Sequence, residues 1–327
     1  MTVLIVTKSD DNSCVDNVTA HLKERGVGAF RFDSDRFPHE VLLAEHHGDG
    51  GERMRLEDPS RGTALDLADV SALWYRRLAV AAKLPRNIDP KLQRPAIDEA
   101  RAVVLGLLAA IPAFRLDPFE NVRRASHKAL QLRVARESGL FIPKTLTTND
   151  PNAVRSFWAE CEGRMVTKML SSFAVYDEAG REQVVFTNRM TQDDIDNLEG
   201  LDLCPMTFQE EVDKQVELRA TIVGGQVFCA AVDSKALQGA DVDWRRRGLE
   251  LCDAWTPYEL PAEVTAGLLK LTRCFGLHYG AADFIVRPDG RHVFLEINPG
   301  GEFFWLDPIL PLSRTLAAVL AGEGRLW

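Results

Sequence analysis

Two carboxylates and one amide near the end of the chain have the types and spacing of a metal site. Asp283 and Glu296 lie in two apolar stretches on either side of the turn signal Asp289-Gly290. A two-residue turn there places Asp283 directly opposite Glu296, and strand alternation puts Asn298 on the same face. The sequence therefore predicts three oxygen-bearing side chains on one patch of a β-hairpin.

A divalent cation is one way to keep these carboxylates together. Two neighbouring carboxylates repel each other, and each is costly to bury without a compensating cation. Mg²⁺ prefers carboxylate and amide oxygens and usually completes its coordination with substrate phosphates. We therefore expect Asp283, Glu296 and Asn298 to be metal ligands beside a nucleotide. The alternative is that the two carboxylates form ion pairs with Arg287 or His292, which are close in sequence.

A nucleotide at this site needs cations for its phosphates. Lys168 lies on an apolar strand pattern with Val166 and Leu170, and a buried ammonium group requires an anion. Arg219 lies on a later strand and can hold a phosphate or a carboxylate through two parallel hydrogen bonds. Lys128, on a predicted helix, is a third candidate, although a lone surface lysine is usually only solvated.

The strand before Arg219 has the character of a nucleotide-binding hinge. Residues 205–212 form an apolar strand that ends in polar residues, which suits main-chain hydrogen bonds to a purine. Glu217 is a candidate for binding the ribose hydroxyls. The predicted nucleotide-binding residues are Lys128, Lys168, Gln209, Glu210, Glu211, Val212, Glu217 and Asn298.

An open α/β unit is predicted at the N-terminus. An unbroken apolar strand over 3–6, a helix that ends at Gly26 and a second strand indicate parallel strands with short connections. A further strand that reaches Tyr75 belongs to the same sheet. No Gly-x-Gly-x-x-Gly follows the first strand, so the dinucleotide-binding fingerprint is absent.

The pattern changes after this unit. One helix is predicted over 121–139, a second begins after the N-cap Asp150, and a third is capped by Thr191. Strand patterns between and after them form hairpins, one of which turns at Gly224-Gly225. The fold class is therefore α/β, with α+β character in the C-terminal half. The predicted units are 1–115, 116–205 and 206–327.

Composition excludes several classes of function. Of 327 residues, 46% are hydrophobic, and 48 acidic residues against 39 basic ones give a net charge of −9. Nucleic-acid binding needs a basic surface, so no nucleic-acid partner is expected. The apolar run at 102–114 is too short to span a membrane and is interpreted as the end of a buried helix. Six scattered cysteines without metal-site spacing indicate reduced thiols in a cytoplasmic protein.

The order of these residues resembles that of an ATP-grasp ligase. Two lysines, the stretch QEE, the stretch ELR over 217–219, Asp283 and the final Glu-x-Asn follow one another as in that family. The resemblance covers nearly the whole chain. It implies an ATP-grasp fold with an N-terminal α/β pre-ATP-grasp domain, and ATP and Mg²⁺ as cofactors. One departure lies at 170–180, where many ATP-grasp proteins have a glycine-rich loop over the phosphates.

Shorter stretches narrow the resemblance to the graspetide synthetases, the microviridin-type macrocyclases. FRFDSDRFP at 30–38, LWYRR at 73–77, DSKALQGADVDWRR at 233–246 and LEINPGGEFFW at 295–305 carry it. The resemblance implies ATP-dependent phosphorylation of Asp or Glu side chains in a precursor peptide. A Ser or Thr hydroxyl, or a Lys amine, then attacks the acyl phosphate and closes an ester or amide ring.

The same resemblance implies roles for individual residues. Lys168, Arg219 and Arg245 are the expected catalytic residues, and Arg245 is either a ligand for the substrate carboxylate or a surface arginine. Recognition of the peptide's leader segment is expected over 173–198, whose acidic helix face could equally be merely solvated. A homodimer is expected, and the aromatic run at 303–305 is interpreted as core packing. The expected leader-binding residues are Phe173, Asp193, Asp194, Asp196 and Asn197.

Two other functions fit the same residues. Another ATP-grasp carboxylate–amine ligase, such as one that adds glutamate to a protein's C-terminus, has the same nucleotide site. A nucleotide-binding scaffold without turnover keeps the fold alone. The intact metal ligands and both lysines argue against such a loss of activity.

Overall fold

The computed structural model describes residues 1–85, 87–170, 174–176, 182–184, 187–234 and 250–326. The strands in this part of the chain are β1 (Thr2–Thr7), β2 (Gly28–Asp33), β3 (Leu42–Gly48), β4 (Gly51–Asp58), β5 (Thr63–Asp66), β6 (Val70–Tyr75), β7 (Phe114–Leu116), β8 (Thr145–Thr148), β9 (Met165–Lys168), β10 (Ala174–Tyr176), β11 (Glu182–Val184), β12 (Asn188–Arg189), β13 (Met206–Glu210), β14 (Val216–Val223), β15 (Gln226–Val232), β16 (Thr256–Pro257), β17 (Tyr279–Val286) and β18 (His292–Asn298). The helices are α1 (Cys14–Glu24), α2 (Pro90–Ala110), α3 (Phe119–Ala125), α4 (Lys128–Glu137), α5 (Pro151–Glu160), α6 (Gln192–Asp196), α7 (Ala262–Phe275) and α8 (Leu312–Ala321).

The N-terminal sheet is parallel, in the order β2-β1-β6-β7. Its central strand β1 is apolar and fully buried from Val3 to Val6, because helices cover both of its faces. Helix α1 packs on one face, and α2 packs on the other through Val104 and Leu107. The predicted strand–helix–strand unit is confirmed. The apolar run at 102–114 is the end of a helix only as far as Ala110, because Phe114 already begins β7. No helix among the described residues could span a membrane.

A small antiparallel sheet between β2 and β6 was not predicted. Strands β3, β4 and β5 pair in that order. Most side chains of β3 are exposed, and Leu56 and Leu65 are the inward apolar residues of β4 and β5. A sheet that buries so few side chains leaves little period-two apolar pattern in the sequence, which is why these strands were missed.

The helix predicted over 121–139 is wrong in one respect, because it is two helices. His127 has extended backbone angles, with φ −76° and ψ 104°, so α3 ends at Ala125 and α4 begins at Lys128. The buried Gln131 side chain bridges this break, since its amide nitrogen donates to the Ala125 carbonyl at 2.5 Å and to the Ile297 carbonyl at 2.8 Å. The break therefore places Lys128 at the first turn of a helix that is fixed to β18.

The middle of the chain forms an antiparallel sheet in the order β12-β9-β13-β8. Helix α5 begins as predicted, because the Asp150 carboxylate caps it by accepting from the Asn152 amide at 2.9 Å. Helix α6 begins with a capping box in which Thr191 and Asp194 satisfy each other's amides. Strands β10 and β11 pair as an antiparallel hairpin, as predicted.

The C-terminal sheet is antiparallel, in the order β16-β15-β14-β17-β18. One face of β14, β17 and β18 packs on α4 and α7 through residues such as Leu218, Phe284 and Phe294. Strand alternation directs Arg219, Asp283 and the other polar candidates to the opposite face. The predicted hairpin at Gly224-Gly225 is confirmed by the β14–β15 register.

The last helix joins the two ends of the chain. Leu312, Leu316 and Leu320 of α8 belong to the same buried cluster as Val15 and Val18 of α1. The cluster also includes residues of β1, β6 and β17. The C-terminal segment therefore completes the core that covers one face of the N-terminal sheet.

We expect Leu316→Ala to lower the free energy of unfolding by about 2–5 kcal/mol, because it removes a fully buried side chain from this shared cluster. Leu203→Ala is the matched control, since Leu203 is 85% exposed, and we expect it to change stability by less than about 0.5 kcal/mol. Denaturant unfolding followed by circular dichroism measures both. Equal stability of the two variants would contradict the packing of α8.

Candidate active site

The hairpin that carries the carboxylates turns differently from the prediction. The amide of Arg287 donates to the carbonyl of Arg291 at 2.9 Å, so three residues, 288–290, form the loop rather than two. Gly290 has φ +82°, the left-handed conformation that such a loop requires at its last position. This turn on its own would misalign the carboxylates by one residue.

A β-bulge restores the predicted alignment. Phe284 pairs with Phe294, but Asp283 pairs with Glu296, so β18 contains one extra residue at Leu295. The predicted juxtaposition of Asp283 and Glu296 is confirmed, although the two-residue turn behind it is wrong. The bulge also keeps Phe294 in the core while Glu296 faces the site.

Each carboxylate of the pair has its own cation. The Glu296 carboxylate lies 2.8 Å from the Lys128 ammonium. The Asp283 carboxylate accepts two hydrogen bonds from one Arg219 nitrogen, at 2.8 and 2.9 Å. Asn298 links them, because its amide nitrogen donates to Asp283 at 3.3 Å and to Glu296 at 3.1 Å. The five side chains form one connected cluster.

The ion-pair partners proposed from the sequence are therefore wrong. Arg287 lies 3.7 Å from the Asp289 carboxylate, and the His292 ring hydrogen-bonds the Tyr258 hydroxyl at 2.9 Å. Arg287 and His292 thus each have a partner other than the two carboxylates. The charges that balance Asp283 and Glu296 come instead from distant segments of the chain.

The cluster shifts the pKa of an acidic residue, Glu296, and of a basic residue, Arg219. Burial alone would raise the pKa of Glu296, but the Lys128 ammonium, the charge of Lys168 and the Asn298 amide outweigh burial and lower it. Burial alone would lower the pKa of Arg219, but the Asp283 carboxylate outweighs burial and raises it. The lowered pKa of Glu296 and the raised pKa of Arg219 both favour the ionised forms, so these two residues present fixed charges at neutral pH.

Arg219 is held on several sides. It is 5% exposed and lies opposite Asp283 in the β14–β17 register. Its second terminal nitrogen donates to the Glu302 carbonyl at 3.1 Å, and its guanidinium lies 5.8 Å from the centre of the Trp305 ring. Its orientation is therefore fixed before any ligand binds.

Lys168 lies at the last position of β9, where its ammonium donates to the Gln209 amide oxygen at 3.3 Å. Gln209 is buried, and its amide nitrogen donates to the Thr145 hydroxyl at 2.9 Å. Leu170 lies after the end of β9 and is 51% exposed, so the predicted shared face extends only from Val166 to Lys168. Lys168 still acts on the cluster, since its charge helps to lower the pKa of Glu296.

The predicted hinge residues are already partly engaged. The amide of Glu210 donates to the Lys144 carbonyl at 3.0 Å, and the amide of Glu211 donates to the Arg164 carbonyl at 2.9 Å. The Glu211 carboxylate also pairs with Arg189 at 2.6 Å. Half-buried Val212 follows directly. Of the predicted hinge amides, those of Glu210 and Glu211 are thus occupied by the protein itself.

Glu217 lies in a buried ion pair. Its carboxylate accepts from the Lys214 ammonium at 2.8 Å, and that ammonium also donates to the Ser234 hydroxyl at 3.4 Å. Both charged residues are buried. Glu217 therefore shares the sheet face of Arg219 while its charge is balanced by Lys214.

The predicted leader-binding residues lie on or next to the exposed helix α6. Asp194 caps the helix, Asp196 accepts from the Gln192 amide at 2.9 Å, and Asp193 is exposed. Asn197 follows the helix and is also exposed. Two further predicted residues, Phe173 and Arg245, lie outside the described residues.

The site includes residues that the sequence reasoning missed. A cavity of about 670 Å³ opens beside the cluster, and Arg77 and Glu302 line it together with Arg219. Phe303 is buried in the core and Trp305 packs against it, as expected, although Trp305 also lines the cavity. Phe304 lines the cavity too and is 36% exposed, so the core interpretation is wrong for this residue. Two adjacent arginines directly after the buried strand β6 were the available signal for Arg77.

The oxygen donors of the cluster suit a hard divalent cation. No three His, Cys, Asp or Glu side chains among the described residues are grouped to hold a metal ion. The cluster instead offers two carboxylates and the Asn298 amide, an all-oxygen set of the kind that Mg²⁺ shares with substrate phosphates. The residues fit such an ion, and a ligand that supplies phosphates would complete its coordination.

Comparisons with known proteins agree with this architecture. A family model described as "MvdD pre-ATP grasp domain" matches residues 2–123. The crystal structure of macrocyclase MdnC from Microcystis aeruginosa MRC, bound with precursor peptide MdnA, is 46% identical, covers 99% of this chain and 100% of its own, and superposes with a TM-score of 0.89. A Chryseobacterium gregarium RiPP-associated ATP-grasp ligase, in complex with ADP and a leader and core peptide, is 35% identical, covers 100% and 99%, and has a TM-score of 0.94.

A third solved structure is macrocyclase MdnB from Microcystis aeruginosa MRC. It is 34% identical, covers 98% of this chain and 99% of its own, and has a TM-score of 0.81. A comparison with curated protein sequences gives no match.

We expect Lys128→Met to raise the pKa of Glu296 towards its ordinary value, because the substitution removes the ammonium 2.8 Å away. The folded-state pKa of Glu296 is lowered, so its ionised form stabilises the protein above the unfolded-state pKa. This contribution to stability is lost as pH falls through the folded-state pKa of Glu296. The variant lacks the share of the contribution that comes from the Lys128 ammonium.

Carbon NMR of glutamate side-chain carboxyls, titrated with pH, measures the shift. Lys144→Met is the matched control, since the Lys144 ammonium pairs with Glu160 on the surface. An unchanged Glu296 titration in Lys128→Met would contradict the electrostatic role of Lys128.

Proposed function

We propose that this chain, which belongs to the graspetide synthetases within the ATP-grasp ligases, uses ATP to close rings in a ribosomally made precursor peptide. The predicted family and ATP-grasp fold are confirmed by the relatives described above. One observation supports the activity most strongly. Lys128, Arg219 and the three oxygen donors converge on one sheet face beside a cavity.

The chemistry requires a carboxylate of the peptide to become an electrophile. The γ-phosphoryl group of ATP moves to an Asp or Glu side chain, which gives an acyl phosphate and ADP. A Ser or Thr hydroxyl, or a Lys amine, then attacks the acyl carbon and loses its proton, and inorganic phosphate leaves. Each ring therefore removes one water from the peptide. The protein must supply alignment and charge neutralisation.

The cluster residues divide this work. Asp283, Glu296 and Asn298 would hold Mg²⁺, which when bound neutralises charge on the phosphate oxygens. Lys128 and Arg219 supply positive charge whose position is already fixed by the carboxylates, so little reorganisation accompanies the reaction.

Arg219 is the residue best placed to meet the peptide carboxylate. It lines the cavity next to Asp283, and its guanidinium is oriented by contacts on two sides. A planar guanidinium can bind a carboxylate or a phosphoryl group through two donors. Arg245 remains a prediction for the same task.

The nucleotide would extend from the cluster towards the hinge. Lys168 lies between the two, because it contacts Gln209 and its charge acts on Glu296. Because the Glu210 and Glu211 amides already donate within the protein, Val212 would supply the main-chain donor to the purine. Glu217 would bind ribose only by sharing its carboxylate with Lys214.

The peptide's leader would dock on the hairpin β10–β11 and helix α6. The acidic residues of α6 face solvent, which suits a leader that offers basic or hydrogen-bonding groups. Phe173 belongs to the same predicted surface. The expected homodimer and cytoplasmic location stay predictions.

Incubation with peptide, ATP and Mg²⁺ tests the function. The probes are MdnA, which the relative MdnC binds, and short peptides rich in Thr and in Asp or Glu encoded next to this chain's gene. Macrocyclisation lowers peptide mass by one water per ring. A ligase that adds a residue raises the mass instead, and a scaffold without turnover changes nothing.

We expect Asp283→Asn and Glu296→Gln to abolish ring formation, because each removes a charged metal ligand while keeping the shape of the side chain. Asp289→Asn, in the exposed turn of the same hairpin, is the matched control and should retain wild-type activity. Mass spectrometry of the peptide measures all three. Dehydration by both site variants would refute the metal assignment.

We expect Lys168→Ala to weaken ATP binding by about 10- to 100-fold, since a hydrogen bond to a charged group contributes roughly 1.5–3 kcal/mol. Isothermal titration calorimetry measures the affinity. Lys270→Ala is the control, because the Lys270 ammonium donates to the Glu137 carbonyl at the surface. Equal affinities for the two variants would rule out a phosphate-binding role for Lys168.

A further inference from the structure

The loop that follows β18 is held by four side chains. It runs over 299–302, and each of its last three carbonyls accepts a hydrogen bond. Arg77 and Arg76 donate to the first at 2.9 and 3.4 Å, the Tyr279 hydroxyl donates to the second at 2.7 Å, and Arg219 donates to the third at 3.1 Å. The position of this loop and the orientation of Arg219 are therefore linked directly.

The carboxylate at the end of this loop is bound by the N-terminal sheet. Glu302 pairs with both Arg76 and Arg77, which follow β6. It also accepts from the Asn12 amide nitrogen at 2.7 Å, and Asn12 lies in the connection after β1. We call these four residues the Glu302 cluster. It joins the first unit of the chain to the loop beside Arg219.

Close packing leaves the loop little room to move. A Cβ atom added at Gly301 would lie 2.5 Å from the Ala281 Cβ and 2.7 Å from a terminal nitrogen of Arg219. The loop backbone therefore lies against the guanidinium itself. A displacement of the loop by a fraction of an ångström would move either the Arg219 side chain or its carbonyl partner.

We propose that Glu302 is a positioning residue, which orients Arg219 through the loop while Arg76 and Arg77 fix its carboxylate. The proposal rests on the function assigned above, in which Arg219 binds the reacting groups. Glu302 itself need not touch ATP or peptide. Its carboxylate fixes the loop, and its carbonyl fixes the guanidinium. The N-terminal sheet thereby takes part in the geometry of the reaction.

A second ion pair between the ends of the chain shows what a purely structural link would do. Arg25 of α1 lies 3.5 Å from the carboxylate of Glu323, just after α8. This pair also joins the N-terminal unit to the C-terminal segment, but neither residue lines the cavity. Loss of the Arg25–Glu323 pair tests the link between the units without changing the Arg219 loop.

The test compares Glu302→Gln with Glu323→Gln in the full chain, with MdnA and the gene-neighbour peptides as substrates. We expect Glu302→Gln to lower kcat for ring formation by about 10- to 100-fold, because small misplacements of catalytic groups cost rates of that order. We expect the KM for ATP to stay within about twofold, since the nucleotide contacts at Lys168 and the hinge are unchanged. Glu323→Gln should match the wild type in both constants. Wild-type kcat in Glu302→Gln would overturn the proposal.

Two further measurements test the proposal if the variant does not fold or the wild type is inactive. If Glu302→Gln does not fold, Arg77→Lys keeps the charge but loses the two-pronged contact, and a drop in kcat with unchanged KM for ATP would support the proposal. If the wild type modifies none of the peptides, the proposed function fails and the crystal structure of Glu302→Gln decides the positioning role. An Arg219 guanidinium that has left the carbonyl of residue 302 supports it, and an unmoved guanidinium refutes it.

Discussion

Compensation of negative charge on one sheet face is the constraint on which this structure depends. Asp283 and Glu296 are brought together by strand pairing, and such a pair is stable only with cations beside it. The chain supplies one cation to each, Arg219 from β14 and Lys128 from α4. In the proposed function the same carboxylates would hold Mg²⁺, and Lys128 and Arg219, which the carboxylates already position, would add positive charge for phosphate oxygens. Negative and positive groups would then remain matched when the ligand binds.

The position of Lys128 illustrates how a backbone irregularity serves this constraint. A continuous helix over 121–139 would carry Lys128 in its middle, on whichever face the helical period dictated. The break at His127 instead makes Lys128 the first helical residue, and the Gln131 side chain ties the new helix to β18. The polar cost of the break is met because Gln131 satisfies the Ala125 carbonyl. A local departure from regular structure thus sets the distance between ammonium and carboxylate.

Much of this architecture could be predicted from the sequence, because it follows from local patterns. Apolar runs and alternation gave β1 and the last hairpin, and the caps Asp150 and Thr191 marked helix starts correctly. The three-residue turn and the bulge at Leu295 could not be predicted. Each shifts the strand register by one residue, and the two shifts cancel at Glu296, so the predicted pairing with Asp283 was correct. The charge partners of Asp283 and Glu296 were also out of reach. They lie far away in sequence, and only the folded structure shows which lysine or arginine lies beside each carboxylate.

The Glu302 cluster lies where open parallel sheets commonly bind a ligand. In open parallel sheets, ligands bind outside the carboxyl ends of the strands where the strand order reverses. That point lies here between β1 and β6, and the residues that follow those strands include Asn12, Arg76 and Arg77. All three bind the chain's own Glu302. The place where a related architecture would hold a separate ligand thus holds a carboxylate from the far end of the same chain, and the sheet contributes to the site by fixing the loop beside Arg219.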